Sequence, residues 1–236
     1  MESQTPDAAK RRAAGAALKL VTPGMRLGLG TGSTTAHFID LLGAKVAQGL
    51  QVLCVPTSER TRTQAESLAI PLSDFEALSE LDMTVDGADE FDPQLRLIKG
   101  GGGALWREKI VASASKRMIV IADSSKAVAR LGKFPLPIEI SRFGSEATRA
   151  AIVDVAAECE CRGAVALRKD RAGNAVLTDS GNALVDCAFG VIPDPEKLAA
   201  RLSAIPGIVE HGLFIGLADA VIAGSGDGIE IFGQLN

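Results

Sequence analysis

The chain has 236 residues, of which 47% are hydrophobic and 23% are charged, and its formal net charge is -4. This length and apolar content allow a sizeable core in one large domain or two smaller ones, which argues against a disordered protein. The 25 basic and 29 acidic residues include no basic stretch interleaved with aromatic residues. A nucleic acid is therefore not an expected partner.

The four cysteines indicate the redox environment of the protein. Cys54 and Cys187 stand alone, and one residue separates Cys159 from Cys161. This spacing fits neither a zinc knuckle nor a disulfide framework, so it favours reduced thiols in a cytoplasmic protein. The amino-terminal residues lack the apolar segment of a signal peptide, and every apolar run is far shorter than the roughly 20 residues of a membrane span. We therefore expect neither export nor membrane insertion.

Helices and strands alternate in the first part of the chain. Apolar periodicity predicts helices over residues 8–20, 36–47, 61–68 and 104–115, and strands over 25–30, 51–56, around 70, 82–86 and 117–122. The hydroxyl residues at 31–35 are suited to N-capping the second helix. Strands that alternate with helices imply a mostly parallel sheet covered on both faces.

The pattern changes after Lys133, where a proline-rich stretch begins. From there we predict a strand over 137–141, a helix over 145–159, strands over 163–169 and 183–187, a helix over 195–203 and a strand over 208–214. This βαββαβ order is typical of ferredoxin-like domains.

Two short β-like runs within residues 219–233 end the chain and would return to the first sheet. We therefore predict an α/β protein with two domains. A Rossmann-like, mostly parallel sheet domain would comprise residues 1–133 and 207–236, and a smaller ferredoxin-like α+β domain would comprise residues 134–206.

The sequence GLGTGSTT at residues 28–35 is the first candidate site. Free amides at a helix N-terminus, together with hydroxyl groups, form an anion site. The loop lacks the Gly-Lys-Ser/Thr of a Walker loop, and Ser33 replaces the third glycine of a dinucleotide fingerprint. A small phosphate therefore fits this loop better than NAD does. A tight turn with an ordinary helix cap is the structural alternative.

The second candidate site is an acidic turn, in which Asp86, Asp89, Glu90 and Asp92 follow a predicted parallel strand. Open sheets bind ligands at the carboxyl ends of their strands. The cluster suggests a metal site or acid/base catalysis, although the spacing of an EF-hand is absent. A solvated, aspartate-rich turn is the structural alternative.

The third candidate site is Lys99 with the four glycines that follow it. Each glycine in regular structure costs about 0.5 to 1 kcal/mol relative to alanine, so the run suggests a backbone that must approach a ligand. A flexible linker is disfavoured because the run connects an apolar strand end directly to an amphipathic helix. Glu108 lies just over one turn into that helix, where partial burial would raise its pKa toward that of a useful base. A surface glutamate paired with Arg107 or Lys109 is the alternative, and we expect His37 and His211 to be structural.

Four segments, in this order, resemble the A-type ribose-5-phosphate isomerase family: GLGTGSTTAHFID, VDGADEFD, IKGGGGALWREKIVA and IADSSK. The similarity extends over essentially the whole chain, including TDSGNALVDC and PGIVEHGLF. The resemblance implies interconversion of ribose 5-phosphate and ribulose 5-phosphate in the non-oxidative pentose phosphate pathway. It also implies a Rossmann-like domain joined to a ferredoxin-like one, no metal, no cofactor, and a homodimer or homotetramer.

The same resemblance implies roles for individual residues. Glu108 matches the proton-transferring base of the family, and Asp86, Asp89 and Lys99 match its other catalytic groups. The substrate-binding positions that it implies are Lys10, Thr31, Gly32, Ser33, Thr34, Gly87, Ala88, Gly100, Gly101, Gly102 and Lys126. The chain departs from the pattern at Gly103, where many relatives are expected to carry alanine.

Three alternatives remain open at this point. The chain is also compatible with a different sugar-phosphate isomerase or an amino-sugar phosphate deaminase on a related fold. A non-catalytic sugar-phosphate sensor is disfavoured because the short amino-terminal segment leaves no room for a DNA-binding helix-turn-helix. A coenzyme A transferase is disfavoured because Lys99 and the acidic turn would then have no clear role.

Overall fold

The computed structural model describes residues 6–226 and 228–235. In chain order the helices are α1 Pro6–Leu18, α2 Ser33–Ala47, α3 Glu59–Ser67, α4 Leu105–Ser113, α5 Ser145–Glu158 and α6 Pro195–Ser203. The strands are β1 Arg26–Leu29, β2 Leu53–Pro56, β3 Met83–Asp86, β4 Glu90–Phe91, β5 Leu97–Ile98, β6 Met118–Asp123, β7 Leu136–Ile140, β8 Ala164–Leu167, β9 Ala183–Ala188, β10 Ile208–His211, β11 Leu213–Phe214, β12 Ala220–Gly224 and β13 Ile229–Gly233. A short 3-10 helix, Ser124–Lys126, follows β6.

The described residues divide into two compact units. The first unit takes its residues from 6–88, 107–126 and 216–235, and the second from 89–106 and 127–215. These bounds differ from the division expected from the sequence, because β4, β5 and β11 form a sheet within the second unit.

The first unit contains a six-stranded sheet in the order β13-β12-β6-β3-β1-β2. All neighbouring strands are parallel except β13, which pairs antiparallel with β12 at one edge. Every residue of β3 and β6 is buried, as expected for central parallel strands covered on both faces. The parallel pairing brings the carboxyl ends of five strands to one edge of the sheet, where open α/β sheets bind ligands.

Glycine 28 shows how a helix packs closely on this sheet. A Cβ atom at Gly28 would lie 2.1 Å from Thr84 Oγ1 and 2.5 Å from Val111 Cγ1. Because neither distance is possible for a real Cβ atom, only glycine at this position of β1 allows α4 to approach β3 so closely. The same α4 carries Glu108, so this contact helps to fix the position of that residue.

The second unit contains a four-stranded antiparallel sheet in the order β10-β7-β9-β8. Numbered within their own βαββαβ segment, the strands follow the order 4-1-3-2. This arrangement confirms the predicted ferredoxin-like topology. The helices α5 and α6 belong to the same apolar cluster as the strands, with Ile152, Leu198 and Leu202 fully buried. A three-stranded antiparallel sheet, β11-β5-β4, completes the unit.

The single strand predicted over 208–214 is wrong in detail, because the structure has two strands there in different sheets. Gly212 separates them, and its backbone N–H donates to Pro137 O at 2.7 Å. A Cβ atom on Gly212 would lie 2.3 Å from Lys99 O, so any larger residue would displace the Lys99 backbone. The strand predicted around residue 70 is likewise reduced to an isolated bridge between Cys54 and Leu72.

All four cysteines are buried and form no disulfide. Burial raises the pKa of Cys54 to about 12 and that of Cys161 to about 11, so both thiols are protonated at neutral pH. Within residues 6–226 and 228–235, no helix combines the length and apolar character needed to span a membrane.

Candidate active site

Several predicted site residues of the first unit lie at the carboxyl edge of its parallel sheet. Residues 30–32 follow β1, Asp86 ends β3 and precedes Gly87 and Ala88, and Lys126 ends the 3-10 helix after β6. Each of these strands is parallel to its neighbour, so the sheet itself orders the three segments along one edge.

Asp86 is fully buried against the glycine loop. Its Oδ1 accepts hydrogen bonds from the backbone N–H of Thr31 at 3.1 Å and of Gly87 at 2.7 Å. A Cβ atom on Gly30 would lie 2.0 Å from Asp86 Oδ1 and 2.6 Å from Asp86 Cα. Glycine at position 30 is therefore the residue that makes room for the carboxylate.

The amino end of α2 combines several features of an anion site. The predicted N-capping by hydroxyl side chains is wrong, because Gly32 is the N-cap residue and no side chain caps the helix. Its first amides are therefore available to a ligand, since they have no intrahelical acceptor. Lys10 Nζ donates to Ser33 Oγ at 2.9 Å, which brings a positive charge to this end of the helix.

The two threonines of the first turn of α2, Thr34 and Thr35, are buried. Within the described part of the chain, the buried Oγ1 of Thr35 has no hydrogen-bond partner. A Cβ atom on Gly87 would lie 3.7 Å from that oxygen, so the hydroxyl lies beside the Gly87 backbone. A buried hydroxyl that makes no hydrogen bond is costly unless a ligand or water satisfies it.

Glu108 lies in the first turn of α4 and is 3% exposed. This burial is incompatible with the interpretation of Glu108 as a surface glutamate. Its neighbour Arg107 donates instead to Glu59 Oε1 at 2.8 Å. A carboxyl group in such a buried position has the environment in which proteins tune a general base.

Lys99, in the second unit, is 2% exposed although it is a lysine. Its Nζ lies 5.4 Å from the centroid of the Phe214 ring, within the range of a cation-π interaction. Its backbone N–H donates to Gly212 O at 2.9 Å, which connects the end of β5 to the residue between β10 and β11.

The glycine run after Lys99 has a defined conformation. Gly100 and Gly103 adopt positive φ values of 103° and 80°, and the N–H of Gly103 donates to Gly100 O at 3.0 Å. The Gly101 N–H donates to Asp89 Oδ2 at 2.7 Å. Asp89 therefore orients this turn, in which Gly101 and Gly102 are exposed.

Arg168, the residue that follows β8, holds the same turn through its carbonyl groups. Its Nη1 donates to Gly100 O at 3.0 Å and to Gly101 O at 3.2 Å. The other edge of its guanidinium group pairs with Asp186, through Nε at 2.8 Å and Nη2 at 2.5 Å. Arg168 could not be identified from the sequence, because nothing in a short strand pattern connects it to a turn more than 60 residues earlier.

The other two acids of the acidic turn have structural partners. Glu90 accepts hydrogen bonds from the backbone N–H of Gly132 at 2.8 Å and of Phe134 at 2.6 Å. Asp92 forms an ion pair with Arg96 at 2.5 Å. These contacts account for the presence of acidic residues at positions 90 and 92 by structural roles, without a role in the reaction.

Both histidines have polar partners within their own unit. His37 Nε2 lies 2.8 Å from Asp7 Oδ1, and His211 Nε2 lies 3.2 Å from Ser203 Oγ. These contacts agree with the structural roles expected for the two residues.

A model of the ribose 5-phosphate isomerase A (phosphoriboisomerase A) family matches residues 53–228. The chain belongs to this family. Ribose-5-phosphate isomerase A of Bradyrhizobium diazoefficiens is 56% identical over 229 residues, which cover 95% of each chain. The protein of the same name from Parvibaculum lavamentivorans is 56% identical over 225 residues, which cover 95% of this chain and 97% of the other.

Solved structures of the ribose 5-phosphate isomerase A family have the same fold. A D-ribose-5-phosphate isomerase in complex with phospho-erythronic acid is 38% identical and superposes with a TM-score of 0.90, covering 98% of this chain and all of the other. The enzyme of Methanocaldococcus jannaschii is 36% identical, with the same TM-score and the same coverage. These similarities confirm the predicted fold class and the predicted family.

Proposed function

We propose that this protein interconverts D-ribose 5-phosphate and D-ribulose 5-phosphate, as a step of the non-oxidative pentose phosphate pathway. In this reaction a proton leaves C2 of the aldose and returns at C1, by way of an enediolate. Two observations support the proposal most strongly: the chain belongs to the family, and the carboxylate of Glu108 is buried. The relative whose structure holds phospho-erythronic acid adds support, because that molecule joins a phosphate to a sugar-derived carboxylate.

The amino end of α2 is our proposed phosphate site. Ser33, Thr34 and Thr35 offer hydroxyls and amides there, and Lys10 is already bonded to Ser33. A phosphate would accept the hydrogen bond of the buried Thr35 hydroxyl and would benefit from the positive end of the helix dipole. Lys126, which is half-buried at the same edge of the sheet, is a further proposed contact. Binding energy from the phosphate would help to fix the reacting carbons.

Glu108 is the proposed base that removes the proton from one carbon and returns it to the other. A positioned general base contributes a factor of about 10² to 10⁴ in rate, which is not enough by itself for most enzymes. A second contribution must therefore stabilise the enediolate oxygen.

Lys99 is the proposed donor to that oxygen. One oxyanion-hole donor contributes about 3 to 4 kcal/mol, on the scale measured for other enzymes. The Gly101 amide, in contrast, already donates to Asp89. The Gly101 amide is therefore not available to the enediolate in this conformation.

Asp86 and Asp89 are the proposed groups for opening the furanose ring, since ribose phosphate is mostly cyclic in solution. Each carboxylate is oriented by backbone amides, Asp86 by two and Asp89 by one. A carboxylate oriented in this way has an oxygen lone pair in a fixed direction, as proton exchange with a sugar hydroxyl requires.

A coupled assay with ribose 5-phosphate in the presence of EDTA tests the proposal. We expect isomerase activity that the chelator does not change. Glu108→Gln should lower kcat by at least about 10³-fold with little change in KM, because a glutamine amide cannot accept the proton. Glu66→Gln, on the exposed face of α3, is the control and should retain wild-type kcat. Near-normal kcat in Glu108→Gln would remove Glu108 as the base.

We further propose that the protein acts in the cytoplasm as a homodimer or homotetramer. The family resemblance supports the assembly, and four buried cysteines without a disulfide suit a reducing compartment. Light scattering coupled to size-exclusion chromatography should give twice or four times the chain mass of 24.5 kDa. A mass of one chain would contradict the proposed assembly.

A further inference from the structure

Four hydroxyl side chains form a buried cluster behind the glycine loop of the first unit. The cluster consists of Thr31, Thr57, Ser58 and Thr61, which are 8%, 0%, 5% and 3% exposed. Thr31 Oγ1 lies 2.8 Å from Thr57 Oγ1, 2.7 Å from Ser58 Oγ and 3.2 Å from Thr61 Oγ1. Ser58 Oγ lies 3.1 Å from Thr61 Oγ1. No proposed role in the isomerase reaction uses Thr57, Ser58 or Thr61.

One contact fixes the direction of every hydrogen bond in the cluster. Thr61 Oγ1 lies 2.8 Å from Gly30 O, and a carbonyl oxygen can only accept, so Thr61 donates to it. Each hydroxyl has a single hydrogen. Ser58 must therefore donate to Thr61. Thr31 donates to Ser58 at 2.7 Å, which leaves no hydrogen for its longer contact with Thr61 at 3.2 Å, and Thr57 donates to Thr31. The cluster is thus a directed chain of hydrogen bonds that ends on the Gly30 carbonyl.

The peptide group between Gly30 and Thr31 joins this chain to Asp86. Its carbonyl accepts from Thr61, and its N–H donates to Asp86 Oδ1 at 3.1 Å. A hydrogen bond accepted by a peptide carbonyl polarises the amide and strengthens the bond that its N–H donates. Thr61 therefore helps to orient this peptide, and the N–H of the peptide in turn helps to orient the Asp86 carboxylate.

We propose that Thr61 is a positioning residue for the isomerase reaction, which acts through the Gly30–Thr31 peptide to aim the Asp86 carboxylate. This inference rests on the proposed function, in which Asp86 takes part in catalysis. Thr61 itself is buried, and outside the hydroxyl cluster its hydroxyl bonds to the carbonyl of this peptide. Loss of the Thr61 hydroxyl should therefore lower kcat and leave KM nearly unchanged, since the hydroxyl orients a reacting group and adds no contact to the substrate.

A simple helix cap does not account for the Thr61 hydroxyl. Ser58 already caps α3, since its Oγ accepts from the N–H of Thr61 at 3.1 Å. The Thr61 hydroxyl leaves its own helix and bonds to a carbonyl 31 residues earlier in the chain. Thr63, on the same helix, shows the ordinary alternative, because its hydroxyl donates to Glu59 O one turn back. Thr63 is therefore a matched control.

The experiment compares Thr61→Val, Thr61→Ser and Thr63→Val with the wild-type enzyme in the ribose 5-phosphate assay. Thr61→Val keeps the shape of the side chain and removes its hydroxyl, so we expect kcat to fall about 10-fold with KM within about 2-fold. Thr61→Ser restores the hydroxyl and should restore kcat to within about 2-fold. Thr63→Val should behave as wild type. Wild-type kcat in Thr61→Val would overturn the inference.

A double-mutant cycle with Asp86→Asn tests whether Thr61 acts through Asp86. The effects of two substitutions are not additive when one residue acts through the other. Thr61→Val should therefore change kcat less than about 2-fold in the Asp86→Asn background. A full 10-fold loss in that background would overturn the inference. Should Thr61→Val fail to fold, Ser58→Gly breaks the chain one bond earlier, costs the helix only a few tenths of a kcal/mol, and should also lower kcat. An inactive wild-type enzyme would instead refute the proposed function and remove the basis of the inference.

Discussion

The two units each contain a glycine loop, and glycine serves a different purpose in each. In the first glycine loop, residues 28–35, Gly28 and Gly30 leave room for neighbouring side chains, since added Cβ atoms would lie about 2 Å from Thr84 and Asp86. In the second glycine loop, residues 99–103, Gly100 and Gly103 adopt positive φ values. The same residue type therefore provides space for close packing in one loop and backbone freedom in the other.

The two loops also differ in what holds them. In the first loop, the Gly30 carbonyl accepts from a neutral hydroxyl, that of Thr61, and the Thr31 N–H donates to the fully buried Asp86. An ion pair holds the second, because Arg168 bridges two carbonyls of the loop and Asp186. Hydroxyl chains contain no charge to screen, whereas a partly exposed ion pair weakens in salt. We therefore expect salt to affect the second loop more than the first.

Gly30→Ala should have the largest effect on the first loop. The added methyl group would overlap both the carboxylate and the Cα atom of Asp86, so the loop or β3 must shift. We expect a loss of about 3 kcal/mol in the free energy of unfolding, measured with urea, and at least about a 100-fold loss in kcat/KM.

Gly15→Ala is the control for that substitution, because Gly15 lies within α1 and a Cβ atom there would meet nothing within 4 Å. We expect it to leave activity unchanged and to raise stability by up to about 1 kcal/mol. Wild-type activity in Gly30→Ala would show that the close packing of Gly30 on Asp86 does not matter for the reaction.

Arg168→Met should have an intermediate effect, confined to the second loop. Two loop carbonyls would lose their charged donor and Asp186 would lose its partner, which we expect to cost about 2 kcal/mol of stability and about 10-fold in kcat. Arg168→Lys should restore little, because an ammonium group cannot bridge two carbonyls and a carboxylate in one plane. The exposed pair of Arg149 with Glu146 provides the control, and Arg149→Met should change stability by less than about 0.5 kcal/mol. Full rescue by lysine would contradict the bridging role.

Gly103→Ala should have the smallest effect of the three. Alanine in this left-handed conformation costs about 1 kcal/mol, and its Cβ atom would lie 3.3 Å from Leu184 Cδ1. We expect thermal unfolding to record that loss, with kcat within about 3-fold of wild type. Gly173→Ala isolates the backbone cost, since Gly173 has a φ of 86° and open space around it. Equal losses in both variants would mean that the contact with Leu184 adds nothing.

Much of the fold could be predicted from the sequence, because its long elements have strong periodicity. The bounds of α6 at Pro195–Ser203 agree with the prediction to the residue. The pairing of β4, β5 and β11 in a small sheet of their own was not predicted, since two-residue strands show too little periodicity to assign a partner. Gly212 divides one predicted strand into two for a tertiary reason, the close approach of the Lys99 carbonyl.

The candidate site was predictable only in part. Residues of the glycine loops and the acidic turn were identified because their residue types are unusual at those spacings. The residues that support them, such as Thr61 and Arg168, are ordinary in type and lie 31 and 67 residues away from the groups that they hold. Only the folded chain brings such pairs together, and local patterns contain no signal for them.

The most direct test of proton transfer by Glu108 is isomerisation of ribose 5-phosphate in D₂O, followed by NMR. If Glu108 moves the proton through an enediolate, its carboxylic acid proton exchanges with solvent during turnover. Deuterium should then appear at C1 of ribulose 5-phosphate, at a rate that Glu108→Gln lowers together with turnover. Product free of deuterium after many turnovers would indicate a hydride shift and contradict proton transfer through an enediolate. Wild-type exchange in Glu108→Gln would contradict the role of Glu108 as the base.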